Sequence, residues 1–313
     1  MKKIHIIFII LLYICVSCPV TSDAKLPKFF TSGLKNRIKD LKEKAAEKKN
    51  KEDIEQFVNE SGAESGTDPI TALSIEYPEL AAQLNQMMES DPVYTQKVLQ
   101  TIISNSSMAE NLNLFFKKYP SFKTYPFAEN ELEWNEFKTN KASASITPDG
   151  LLQLKNDNKE NKDNQDNEYS SLIYSYTDLP LNVQGDFAIS TQMLLPKYEK
   201  GHPYAILINL EDKFNCGIIS FDCETVRYLQ LKDGKIVSEQ SVLINGKKSK
   251  NAFVNVMIEK TGGKVMVSVN NDPCLKIRKI DYLHTGFGFG AYPRSSFKVL
   301  SLGCGMGDDE SDN

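Results

Sequence analysis

Histidine and tryptophan are scarce in this 313-residue chain, with three histidines and one tryptophan. Behind residue 24 only His202 and His284 remain, and no two of the cysteines there stand as a CxxC pair. That scarcity excludes a zinc centre of the Cys/His type. It also leaves no supportable Ser/His/Asp set, because His202 precedes Pro203 in a Gly/Pro loop and His284 lies in a polar turn, both suited to solvent-facing residues. Charge of one sign is lacking too: 37 Lys and Arg against 41 Asp and Glu leave a net −4. Without a basic field, nucleic acid is excluded as a partner. The apolar run from Ile4 to Val16 is too short to span a hydrocarbon layer of ~30 Å.

What is present begins with Lys2 and Lys3 in front of that run, the pattern of a secretory leader over residues 1–24. Two processing routes stay open. Ser22 and Ala24 suit a cut before Lys25 that frees a soluble protein, while Val16-Ser17-Cys18 resembles the end of a bacterial lipobox, with Cys18 as the acylated residue. Either route predicts an exported chain: periplasmic, secreted, or an outer-membrane-tethered lipoprotein. Export gives Cys216, Cys223, Cys274 and Cys304 an oxidising setting, so they are expected to form disulfides. Three pairings are open. Cys216 with Cys223 would close a hairpin and Cys274 with Cys304 would staple the last strands, each stabilising by roughly 2–4 kcal/mol.

Residues 25–66 read as a basic amphipathic helix and linker, with Leu34, Ile38, Leu41 and Ala45 forming a narrow apolar stripe. The helix is either a spacer or a second membrane tether beside Cys18. Residues 67–122 read as a small helical module. Leu80, Leu84 and Met87 follow Pro78 at helical spacing, Asp91-Pro92 marks a helix start, and Ser107 with Glu110 has capping-box spacing ahead of Leu112, Phe115 and Phe116. From Phe127 the period becomes two. Phe187, Ile189, Thr191 and Met193 alternate with polar or small residues, as do Val254, Val256 and Ile258, and again Val265, Val267 and Val269. Further short strands are expected near Leu151, Leu172, Tyr204, Gly217, Val226, Gly286 and Phe297, with turns at Asp149-Gly150, Asp233-Gly234 and Asn245-Gly246. The fold class is therefore mainly β: a two-sheet antiparallel jelly-roll sandwich over residues 127–305, preceded by the α-helical module. Asn156 to Glu168 reads as a solvated polar insertion and residues 306–313 as a flexible acidic tail.

Three segments carry a resemblance. Phe127 to Phe137 with Leu132 and Trp134, then Asp149-Gly150-Leu151 and Gly185-Asp186-Phe187, open the sandwich; Phe253 to Asn271 supplies two paired strands; Gly286-Phe-Gly-Phe-Gly and Phe297-Lys-Val-Leu close it. This order resembles the concanavalin A-like lectin, laminin-G and glucanase superfamily, closest in flavour to exported bacterial domains of the 3-keto-disaccharide hydrolase type. The pair Cys274 and Cys304 is similar to the closing disulfide of laminin-G domains. The resemblance implies a sandwich that presents a glycan or other cell-surface ligand site. Glucanases of the superfamily carry an E-x-D-x-x-E strand, and Glu131-Leu-Glu133-Trp-Asn-Glu136 echoes it only in part, at the domain entrance. A first strand with a charged surface, anchored by Trp134, is expected there instead. No catalytic residue, metal or cofactor is expected. By strand phase the candidate ligand-binding residues are Gln192, Asn209, Arg227 and Tyr228. The expected function is a non-catalytic glycan-binding or surface-interaction protein, with a glycan-active hydrolase and a structural envelope protein as alternatives.

Overall fold

The computed structural model describes residues 69–90, 99, 102–103, 106–158, 171–278 and 280–307. The expectations for residues 1–66, the helix start at Asp91-Pro92, the insertion beyond residue 158 and the end of the acidic tail lie outside the described residues. The described residues divide into two compact units between Lys118 and Tyr119.

The first unit contains helices α1 (Pro69–Glu76), α2 (Pro78–Ser90) and α3 (Ser106–Lys118). Pro78 opens α2 because its missing N–H would have no partner in a first turn anyway. Leu80 and Leu84, four apart, are buried, as are Leu112 and Phe116 of α3. The side-chain amide oxygen of Asn113 accepts the free N–H groups of Glu79 and Leu80, capping α2 from α3.

The second unit is the two-sheet antiparallel sandwich. Its strands are β1 (Lys123–Thr124), β2 (Phe137–Lys138), β3 (Ala142–Ile146), β4 (Leu152–Asn156), β5 (Ile173–Asp178), β6 (Phe187–Tyr198), β7 (Tyr204–Asp212) and β8 (Asn215–Phe221). They continue with β9 (Thr225–Lys232), β10 (Lys235–Leu243), β11 (Ser249–Thr261), β12 (Lys264–Val269), β13 (Asp272–Arg278), β14 (Gly286–Ala291) and β15 (Ser295–Met306). The larger sheet runs β13-β12-β11-β6-β15-β4-β3-β2, with β1 alongside β15, and the smaller runs β10-β9-β8-β7-β14-β5. The period-two residues meet between the sheets: Phe187, Ile189 and Met193 from β6 face Ile206, Ile219, Tyr228 and Phe289 from the smaller sheet. Trp134 stacks on Phe289 with ring centroids 5.5 Å apart. Full burial of such a side chain contributes roughly 1.5–3 kcal/mol.

The smaller sheet departs from simple alternation. Ala205, Leu207, Cys216, Ile218, Leu229 and Leu231 form a second buried apolar cluster on its other face. A strand buried on both faces must be apolar throughout, and β7 is accordingly Tyr-Ala-Ile-Leu-Ile-Asn-Leu before it turns acidic.

Among the described residues four hairpins close on two-residue loops, two of them in a left-handed conformation throughout. Asp233-Gly234 and Asn270-Asn271 hold positive φ at both positions, 50° and 71°, then 52° and 67°, which matches the twist of the flanking strands. Asparagine tolerates this conformation better than other side chains, so the second loop needs no glycine. Asn245-Gly246, expected as a turn, lies where the chain leaves β10 in one sheet for β11 in the other. Asn156 belongs to β4, not to a solvated insertion: it is fully buried and its amide donates to the carbonyls of Ser171 and Ala291 at 3.0 and 2.9 Å. Met306 likewise belongs to β15 and not to a tail.

The expected disulfides are absent: Cys216, Cys223, Cys274 and Cys304 are all free. Cys216 lies near the start of β8 and Cys223 just past its end, and the strand from Cys216 to Phe221 alone spans about 17 Å. Cys274 on β13 and Cys304 on β15 are separated by β12, β11 and β6, about 19 Å at the usual strand spacing. A disulfide needs Cα atoms within about 7 Å. Burial pushes the Cys216 and Cys304 thiols up to about 12, so both are unreactive.

Three buried hydroxyls, of Thr124, Tyr198 and Ser301, have no hydrogen-bond partner among the described residues. Burial raises the pKa of the Tyr198 hydroxyl. Tyr198→Phe removes an unsatisfied polar atom while keeping the ring, so its urea midpoint is expected at or above that of the parent, by up to about 1 kcal/mol of stability. A clearly lower midpoint would mean that the hydroxyl has a partner.

Candidate functional site

The site begins with a break in β7. Asn209 has φ of 49°, and the pairing of β7 shifts register against both β8 and β14 at this point. Such a bulge re-aims side chains at the end of a strand. Here it turns the Asn209 amide toward the connection between β13 and β14. The amide nitrogen donates to the Asp281 carbonyl at 3.0 Å, and the amide oxygen accepts from the N–H groups of Leu283 and His284 at 2.7 and 2.9 Å. Ile280 and Tyr282 of the same connection are buried in the core, where Tyr282 packs edge-on against Phe187.

Held at both ends, the 280–285 connection forms one wall of a cleft with a volume of about 410 Å³. Tyr228, Gln230 and Lys232, on one face of β9, line another side. Val237 and Ser238 come from β10, Ile277 and Arg278 from β13, and Glu211 and Asn215 from the end of the β7–β8 hairpin. The cleft thus opens between β10 and β13, the edge strands of the two sheets. Inside it the Tyr228 hydroxyl donates to the side-chain oxygen of Gln230, and burial raises the pKa of that phenol. His284 stands 3.5 Å from Glu211. The Lys232 and Arg278 side chains have no ion pair among the described residues. Asn215 is fixed by Asp212, whose carboxyl is held below the usual carboxylate range first by the Phe214 N–H and then by the Asn215 amide. The result is a small cavity in which planar polar side chains and a phenol stand beside Ile277 and Ile280.

The structure brings together two of the four residues expected from sequence. Asn209 and Tyr228 both line the cleft, although the Asn209 amide is spent on the 280–285 wall. Arg227 lies on the opposite face of β9, where its guanidinium meets Glu239 at 2.9 Å. Gln192 lies in the other sheet, buried, and donates to the Asn255 amide oxygen at 2.9 Å. Strand parity could have found Gln230 and Lys232 from Tyr228. Nothing local could have found Glu211, Arg278 and His284, which meet only through the Asn209 bridge. Glu131 to Glu136 form no strand: Glu131 pairs with Lys123 at 2.9 Å, Glu136 accepts the Ile146 N–H, and Trp134 anchors the segment in the core. Among the described residues no group of three or more His, Cys, Asp or Glu side chains could hold a metal ion.

No protein-family model and no curated protein matches the chain in sequence. Three solved structures are similar to part of the chain. The carbohydrate binding module CBM66 from Bacillus subtilis is 12% identical, with 55% of this chain and 95% of that one covered and a TM-score of 0.38. A protein of unknown function with a galectin-like fold, also from Bacillus subtilis, is 10% identical over 60% and 97% of the two chains, with a TM-score of 0.42. The β-glucanase of Bacillus licheniformis is 10% identical over 59% and 98%, with a TM-score of 0.41.

Proposed function

We propose that this chain is an exported, non-catalytic glycan-binding protein and that the cleft between β10 and β13 is its binding site. The make-up of the cleft is what carries the reading. Sugars offer apolar C–H faces and a dense edge of hydroxyls, and they are recognised by planar polar groups beside an apolar surface. Gln230, Arg278 and Asn215 supply the planar groups and Ser238 a hydroxyl, over a floor formed by the buried Tyr228, Ile277 and Ile280. Export is supported by Lys2, Lys3 and the apolar run behind them. Palmitate labelling of the parent beside Cys18→Ala distinguishes a lipid-tethered form from one cut after Ala24.

The test of the site is a glycan array followed by calorimetry on the purified chain. Gln230→Ala and Arg278→Ala are each expected to weaken binding about tenfold, the loss of one good hydrogen bond. Arg227→Ala, on the far face of β9, is expected to leave it unchanged. Binding of no glycan, or binding indifferent to both cleft substitutions, would sink the proposal. A second reading, a glycan-active hydrolase, is favoured by one observation: Glu211 and Asp281 line the same cleft, and two carboxylates are what glycoside hydrolysis requires. Disaccharide turnover by the purified chain, abolished in both Glu211→Gln and Asp281→Asn, would replace the first reading with the second.

A further inference from the structure

The geometry points to an amphipathic glycoside as the ligand of the cleft, with the sugar inside and an apolar aglycone lying across the rim. The inference rests on the glycan-binding reading above and adds the second half of the ligand. Val237, 58% exposed, and Leu283, 62% exposed, line the cleft from different walls, β10 and the 280–285 connection. Single exposed apolar residues are ordinary, but two that face one cavity from different walls are a shared apolar border.

Packing does not demand these side chains. Val237 falls where the register of β10 against β9 shifts, between Ile236 and Ser238, so neither sheet face needs it. Leu283 is flanked by buried Ile280 and Tyr282, which already anchor the connection, and only its backbone N–H is used by Asn209. A serine at either position would keep the fold and wet the rim. The charges of the cleft do not favour an ionic ligand, because Lys232 and Arg278 are offset by Asp281 and Glu211. What the site offers is a polar interior of balanced charge with an apolar border.

The experiment measures affinities of the full chain for methyl, hexyl and octyl β-glucosides and β-galactosides, all below their micelle concentrations. Affinity is expected to rise roughly tenfold from methyl to octyl, the effect of burying about two methylene groups. In the Val237→Ser/Leu283→Ser double variant that gain is expected to fall to about one; its urea midpoint, expected to match the parent's, confirms that it is folded. Equal affinity of the parent for methyl and octyl glycosides overturns the inference while the glycan-binding reading stands. A gain that persists in the double variant, or that octanol alone reproduces, also overturns it and marks the rim as a general apolar surface, such as a protein partner would cover. Binding of no glycoside by the parent removes both the inference and the reading beneath it.

Discussion

Asn209→Ala is expected to lower the stability of the sandwich by about 3 kcal/mol and to abolish ligand binding at the cleft. Three backbone groups of the 280–285 connection, the Asp281 carbonyl and the Leu283 and His284 N–H groups, have their partner in this one amide. Leaving each unpaired costs about 1 kcal/mol or more where water cannot replace the bond. The alanine would also have to hold the positive φ that asparagine tolerates. For a unit of this size the loss corresponds to a fall in Tm of roughly 6–12 °C. Asn209→Asp separates the two roles of the amide. It keeps an oxygen for the two N–H groups but sets a carboxylate against the Asp281 carbonyl, so its loss is expected to be intermediate. An alanine variant with the parent's Tm would show that the wall holds without the bridge, and the account of the site would fall with it.

The periodicity of β6, β11 and β12 made the sandwich legible, because one face of each is buried in the core and the other carries polar or small residues. The two edge strands that frame the cleft were not legible, for opposite reasons. β10 is exposed along most of its length, so burial imposes little alternation on it. β13 opens with Asp272-Pro273, which argues against a strand unless it lies at an edge where the missing N–H is not needed, as it does here. The cysteine pairing failed for a related reason: neighbourhood in sequence says nothing about how many strands stand between two positions in a sheet. Of the site itself, the sequence exposed Tyr228 and Asn209 as polar-tipped members of apolar strands. It could not show that one would line the cleft and the other would build the wall. The second role depends on a register shift, and no residue pattern within β7 announces one.

The same register shift sets up the largest effect expected of any single substitution. Where β7 bulges at Asn209, its backbone is drawn over the start of β14, and Gly286 is the residue beneath it. A Cβ on Gly286 would stand 2.0 Å from the Leu210 carbonyl oxygen and 2.9 Å from its carbon. Neither atom belongs to a flexible side chain. Leu210 follows the pinned Asn209 and is itself buried, while Phe287 and Phe289 hold β14 in the core on the other side. Gly286→Ala must therefore part β7 from β14 or undo the bulge, and in either case the Asn209 bridge goes with it. The expected destabilisation exceeds about 4 kcal/mol, most of the stability of a domain at the lower end of the ordinary range of about 5–15 kcal/mol. Gly263→Ala is the matching control: nothing stands within 4 Å of a Cβ there, so its midpoint is expected within about 0.5 kcal/mol of the parent. Urea unfolding of the two variants, followed by near-ultraviolet circular dichroism from the buried Trp134, checks both values. A Gly286→Ala chain that unfolds at the parent's midpoint would mean that β7 and β14 can separate freely. The bulge would then not be the rigid support that places Glu211, Arg278 and His284 around one cavity.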